Sequence, residues 1–137
     1  MHLSFTVPGR PVPWKRAQGV ARYTDPTRKA YAARVRLAAI AQLQERKCRP
    51  ADMPAPPWPL DALYAVTLVV VPADKRRRDA DNFAKLALDA CNGVLFADDS
   101  QVRDLRVLVS EPDEPRLDVM IEVLTAADIA AAIAEVA

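Results

Sequence analysis

Hydrophobic and polar positions alternate from the start of the chain, where Ser4 and Thr6 separate Leu3, Phe5 and Val7. A period of two predicts a strand with one buried face. Pro8-Gly9 and Pro11-Val12-Pro13 end it, and residues 9–24 read as a long loop. Asp25-Pro26 is a helix-start signal, with Asp at the N-cap and Pro in the first helical position. From about 26 to 47 the period becomes helical, with Tyr31, Val35, Ala38 and Leu43, joined by Leu37 and Ile40, as the apolar stripe. Residues 48–60 hold five prolines and predict a surface linker carrying an exposed Trp58. Tyr64 to Val71 is apolar at both alternating sets of positions, the pattern of a central strand covered on both faces.

A second helix is predicted over about 80–92. Phe83, Leu86, Ala87, Ala90 and Val94 face one way, while Asp81, Lys85, Asp89 and Asn92 form a polar stripe. Leu88 falls inside the polar stripe, which a subunit contact would explain. Asn92-Gly93 stops the helix, and Val94-Leu95-Phe96 reads as a short buried anchor. A strand at 102–110, a turn at Glu111–Pro115 and the alternation of Leu117, Val119, Ile121 and Val123 predict a β-hairpin. Thr125 with Asp128 three residues on is a capping box for a short Ala-rich helix. Together these elements predict a single α+β domain over residues 1–137. It has a mixed, mostly antiparallel sheet of about four to five strands, two main helices and a peripheral helix at 126–137.

Composition narrows the class. The chain has 137 residues, 51% apolar and 27% charged, which suits one globular domain with a real core. No apolar run approaches the roughly 20 residues that span a bilayer. The first residues lack a basic region followed by an apolar core, so no signal peptide is predicted. Cys48 and Cys91 lack metal-type spacing and read as free thiols of a reducing cytoplasm. The net charge of +1 hides an asymmetry. Residues 9–49 carry eleven Lys/Arg and only two acids, Asp25 and Glu45, a balance of +9 that leaves −8 elsewhere. One basic face implies an anionic partner. In the 9–24 loop, Arg10, Lys15, Arg16 and Arg22 are interleaved with Trp14 and Tyr23, which fits contact with phosphates and bases.

The densest chemistry lies in Lys75-Arg76-Arg77-Arg78-Asp79-Ala80-Asp81-Asn82-Phe83-Ala84-Lys85. Four cations ask for an anion, and two carboxylates one residue apart ask for a cation. A divalent metal and a phosphodiester satisfy both demands. Asp79 and Asp81 point the same way in an extended segment, and Asp98 or Asp99 would close the site. Such a set suits Mg²⁺, with Mn²⁺ as a substitute. Lys85, one turn after Asp81, would stabilise charge developing on phosphorus. Helix capping with an Asp81–Lys85 pair accounts for one Asp only. Other chemistries fail on spacing. An EF-hand begun at Asp79 would meet Phe83, Ala84 and Ala90 where it needs ligands and Gly. The only histidine, His2, leaves zinc sites and Ser-His-Asp or Cys-His arrangements without parts, and three glycines are too few for a phosphate-cradling loop.

At these residues the chain resembles the RusA family of Holliday junction resolvases, small endonucleases of bacteria and their prophages. The resemblance rests on Arg76-Arg-Arg-Asp79-Ala-Asp81-Asn82, Lys85, Asp89-Ala90 and Gly93-Val-Leu-Phe96, then Asp98-Asp99-Ser100-Gln101. It covers roughly residues 3–124. It implies a homodimeric, Mg²⁺-dependent nuclease that nicks four-way junction DNA symmetrically, with no small-molecule cofactor and no membrane. By position it implies Asp79, Asp81 and Asp99 as catalytic metal ligands, with Asp98 beside them and Lys85 required for cleavage. The basic loop and the basic run themselves, apart from the resemblance, make Lys15, Arg16, Arg22, Lys75, Arg76, Arg77 and Arg78 the expected DNA contacts. A non-catalytic nucleic-acid-binding protein and an unrelated metal-binding or protein-interaction domain are the competing readings.

Overall fold

A computed structural model describes residues 1–13, 26–48, 56–76 and 78–137. Among the described residues, four strands form one mixed sheet: β1 (His2–Pro8), β2 (Leu63–Val71), β3 (Val102–Val109) and β4 (Arg116–Leu124), in the order β1-β4-β2-β3. Three α-helices among these residues accompany it: α1 (Pro26–Lys47), α2 (Ala80–Cys91) and α3 (Ala126–Val136). The α+β class and the four-strand sheet agree with the reading from sequence.

The alternation seen in the sequence becomes one buried sheet face. Leu3, Phe5 and Val7 of β1 join Tyr64, Val66, Leu68 and Val70 of β2 and Leu117, Val119 and Ile121 of β4. Tyr31, Val35 and Ala39 of α1 and Phe83, Leu86, Ala87 and Ala90 of α2 close the core over this face. Gly9, at φ 96°, turns the chain out of β1 in a conformation that a side chain would strain, and its N–H donates to Pro115 O at 3.0 Å. The buried Cys91 thiol is pushed up to about 12 by desolvation, so it is an inert core group, whereas Cys48 is exposed; both are free thiols.

Five expectations need correction. The 102–110 and 117–123 segments do not form a hairpin. β4 pairs antiparallel with both β1 and β2, and β3 pairs parallel with β2 on its other side. The turn after β3 therefore carries the chain across the end of β2, where Asp113 N–H donates to Pro72 O at 3.1 Å. β2 is central but covered on one face only, since Ala65, Thr67 and Val69 remain half-exposed. Leu37 is exposed, and Ala39 takes the inward position. Leu88 is half-buried against the core, so it needs no subunit contact. Trp58 is an anchor. Its indole N–H donates to Leu95 O at 2.8 Å, its ring stacks on Tyr64 at 6.0 Å, and Arg46 lies 5.7 Å over it.

Trp58→Ala is therefore expected to cost about 2–3 kcal/mol through lost packing and an orphaned Leu95 carbonyl. Leu37→Ala should change stability by less than about 0.5 kcal/mol. Urea unfolding of both variants checks the contrast, and equal shifts would refute it.

Candidate metal and DNA-contact site

Asp79 is the N-cap residue of α2, with extended backbone (φ −99°, ψ 114°), yet its carboxylate makes no capping hydrogen bond. Asn82 N–H donates to the Asp79 backbone carbonyl at 3.1 Å. Asp81 stands in the first turn, and Asp79, Asp81 and Lys85 are exposed. Among the described residues neither Asp79 nor Asp81 joins an ion pair. The N-terminus of α2 adds the positive end of the helix dipole beside them. Two carboxylates without internal partners are hard oxygen donors of the kind Mg²⁺ accepts.

The second acidic pair is elsewhere. Asp98 precedes a one-turn 3₁₀ helix, Asp99–Gln101, that leads directly into β3. Asp98 accepts from Ser100 N–H at 3.2 Å, while Gln101 accepts from Asp98 N–H at 2.9 Å in a reciprocal capping box. The Gln101 amide also donates to Leu60 O and Ala62 O, at 2.9 and 2.8 Å. Because β2 and β3 run parallel, with Tyr64 opposite Val102, Asp98 and Asp99 lie where β2 begins. Asp79 and Asp81 follow the end of β2. The length of β2 and of the returning α2 separates the pairs by about 20 Å. Within one chain the structure does not bring the four carboxylates together, and no group of three or more potential ligands among the described residues is close enough to hold a metal.

The basic residues also divide. Lys15, Arg16, Arg22 and Arg77, together with Asp25 and the aromatic residues of the 14–25 loop, lie outside the described residues. Lys75 and Arg76 are exposed. Arg78 is not: its side chain is only 15% accessible and turns inward to Asp74. Asp74, absent from the expected site, gathers three arginines. Its carboxylate accepts from Arg10 at 2.9 Å and from the Arg76 N–H at 3.0 Å, lies 3.6 Å from the Arg76 side chain, and pairs with Arg78. Arg78 also donates to the backbone carbonyls of Asp74, at 2.9 Å, and Arg76. The Arg78 hydrogen bond, followed by the Arg76 N–H, holds the Asp74 carboxyl below its ordinary value. One sequence signal could have found it: an acid immediately before the basic run, four residues from Arg78.

A family model described as endodeoxyribonuclease RusA matches residues 7–122, a span that includes both acidic pairs and stops before α3. The chain is also 46% identical over 48 residues to a Bacillus subtilis (strain 168) protein described as uncharacterized protein YqaN. That match covers 35% of this chain and 34% of the relative, so the chain spans about a third of the relative's length.

If Asp98 is structural and Asp79 is not, they will respond differently to substitution. Asp98→Ala should destabilise the fold by about 1 kcal/mol, and Asp79→Asn by less than about 0.5 kcal/mol; equal losses in urea titrations would refute the distinction. A second prediction concerns acid. Asp74, Asp98 and Asp128 are all held below the ordinary 3.8, by Arg78, by Ser100 and by the Thr125 N–H respectively. A depressed carboxyl contributes stability that is present above its ordinary value and is lost as pH falls through the folded one. The urea midpoint should therefore drop between pH 5 and pH 3; an unchanged midpoint would sink this account.

Proposed function

Because the chain belongs to the RusA family of endodeoxyribonucleases, we propose that it resolves four-way junction DNA by metal-dependent phosphodiester hydrolysis, in recombination and repair. The observation that carries this reading is the Asp79/Asp81 pair, unengaged at the start of α2 beside the exposed Arg76 and inside the region the family model matches.

Asp79 and Asp81 would hold the metal, and Asp99 would complete its ligands, with Asp98 bracing the turn that carries Asp99. A bound Mg²⁺, or Mn²⁺ in its place, would supply the positive charge needed to acidify a water and attract a phosphate oxygen. Lys85 lies one helical turn beyond Asp81 and stabilises charge that develops on the phosphate. Lys75 and Arg76, with Lys15, Arg16, Arg22 and Arg77, hold the DNA backbone. No small-molecule cofactor is needed. No helix among the described residues is long and apolar enough to cross a membrane, and the reaction is placed in the cytoplasm, with the DNA.

One chain carries half of this site at each end of β2, so a second copy completes it. β3 is the outer strand of the sheet, and its Leu105, Leu108 and Val109 are exposed. A two-fold axis beside β3 would run the two β3 strands in opposite directions. Asp99 of one copy then comes to the end that holds Asp79 and Asp81 of the other. Two such sites related by a two-fold axis suit paired nicks across a junction.

The test uses synthetic four-way junctions with Mg²⁺. The wild-type chain should cut, while Asp81→Asn and Asp99→Asn should each bind junctions and leave them intact. Mixing the two inactive variants should restore nicking to about a quarter of the wild-type site number, because random exchange makes half the dimers mixed and each mixed dimer regains one intact site. Binding without cleavage by the wild-type chain would favour a non-catalytic junction binder. Active single variants would remove these residues from the site, and inactive mixtures would refute the shared site.

A further inference from the structure

We propose that Asp74 is a positioning residue for cleavage: it fixes the turn between β2 and α2 so that Asp79 and Asp81 are presented together. The proposal rests on the reading of that pair as metal ligands. Residues 72–81 contain no glycine, so no special backbone freedom shapes this turn. Four consecutive cations, Lys75 to Arg78, repel one another and favour an open, solvated chain. Asp74 opposes this from within the turn. Its carboxylate takes the Arg76 N–H and the Arg78 side chain, while Arg78 returns bonds to the Asp74 and Arg76 carbonyls. The closed turn ends at Arg78, the residue immediately before Asp79, so the direction in which the chain enters α2 is set there.

The same carboxylate reaches a second segment. Arg10, just beyond β1, donates to it at 2.9 Å. The turn that carries the acidic pair is thereby tied to the start of the basic loop. At the other side, Pro72 O accepts from Asp113 N–H at 3.1 Å, which anchors the entry to the turn. Arg10 and Arg76 keep side-chain exposures of 55% and 77%, so both remain accessible to an incoming phosphate, unlike Arg78. Asp74 thus sorts the cations into one internal strut and two outward contacts.

Removing the carboxylate should separate two properties that a loss of folding would reduce together. Asp74→Ala and the milder Asp74→Asn remove a negative charge beside two phosphate-facing arginines, so junction binding should stay equal or tighten. Mn²⁺ binding, measured by titration calorimetry on the full chain, should weaken by about 10- to 100-fold, as when the groups that orient metal ligands are removed. The Mg²⁺ concentration for half-maximal cleavage should rise by a similar factor. Asp74→Glu, which keeps the charge, should recover part of both. Asp81→Asn is run in parallel. If Asp81→Asn cuts normally, the site reading and this proposal both fall. If Asp81→Asn is inactive but Asp74→Ala and Asp74→Asn keep wild-type Mn²⁺ affinity and Mg²⁺ dependence, the site stands and the positioning role is overturned. Weakened junction binding with unchanged metal dependence would also overturn it, by making Asp74 a support for DNA contact. If Asp74→Ala fails to fold, Asp74→Asn decides.

Discussion

The parallel pairing of β2 with β3 governs where chemistry can occur. Parallel neighbours cannot be joined by a tight turn; the chain must cross back over the sheet, here through α2. Both strands then begin at the same end of the domain. The turn after β2 and the segment before β3 are therefore held at opposite ends, although a single short helix separates them in sequence. Asp79 and Asp81 belong to the first, Asp98 and Asp99 to the second. α2 keeps them apart, since its apolar face is locked into the core by Phe83, Leu86, Ala87 and Ala90. On the proposed reading, a site that needs both pairs would be a property of two chains, because one chain holds the pairs at opposite ends of β2.

Electrostatics at the Asp79 end follow a second constraint. Exposed ion pairs contribute little to stability because water competes for both partners, so the Asp74 cluster is a weak source of folding energy. Its effect is geometric. A planar guanidinium that bonds a carboxylate and two carbonyls at once has few orientations left. Arg78 spends its donors in this way and ceases to be a free cation, whereas Arg76 bonds through its backbone and keeps its side chain outward. Arg76 and Arg78, which look equivalent in sequence, thus take different roles according to which of their atoms Asp74 engages.

Local signals in the sequence were reliable where the physics is local. Pro26 and the apolar stripe gave α1 its limits, the Thr125/Asp128 capping box began α3, and alternation identified the buried face of β1 and β4. Alternation says which face of a strand is buried but not which strand lies beside it, so β3 and β4 were paired wrongly. Trp58 looked exposed among prolines because its partner, Leu95, is 37 residues away. Leu37 is exposed because the buried stripe of α1 follows the four-residue spacing of Tyr31, Val35 and Ala39, and Leu37 falls on the opposite side of the helix. Net charge by segment pointed to a basic face but could not name Asp74 as the acid that organises part of it. The acidic pairs were recognised singly; their separation needed the strand order.

The helix starts offer an independent argument about Asp79. Asp98 and Thr125 each accept a backbone N–H in a full capping box. Asp79 occupies the same position with suitable extended backbone and does not, although a side-chain cap is typically worth about 1 kcal/mol. Nothing in its residue type prevents the bond. Among the described residues, the chain caps the 3₁₀ turn and α3 with side chains but leaves the Asp79 carboxylate uncapped, and so forgoes local stability at α2. Local rules are most often broken where a side chain is held for a ligand. The break falls one residue after Arg78, at the end of the turn that Asp74 closes. On the proposed reading of Asp79 as a metal ligand, the uncapped carboxylate and the clamped turn belong to one arrangement, with the backbone held by Asp74 and Arg78 and the Asp79 side chain left uncapped.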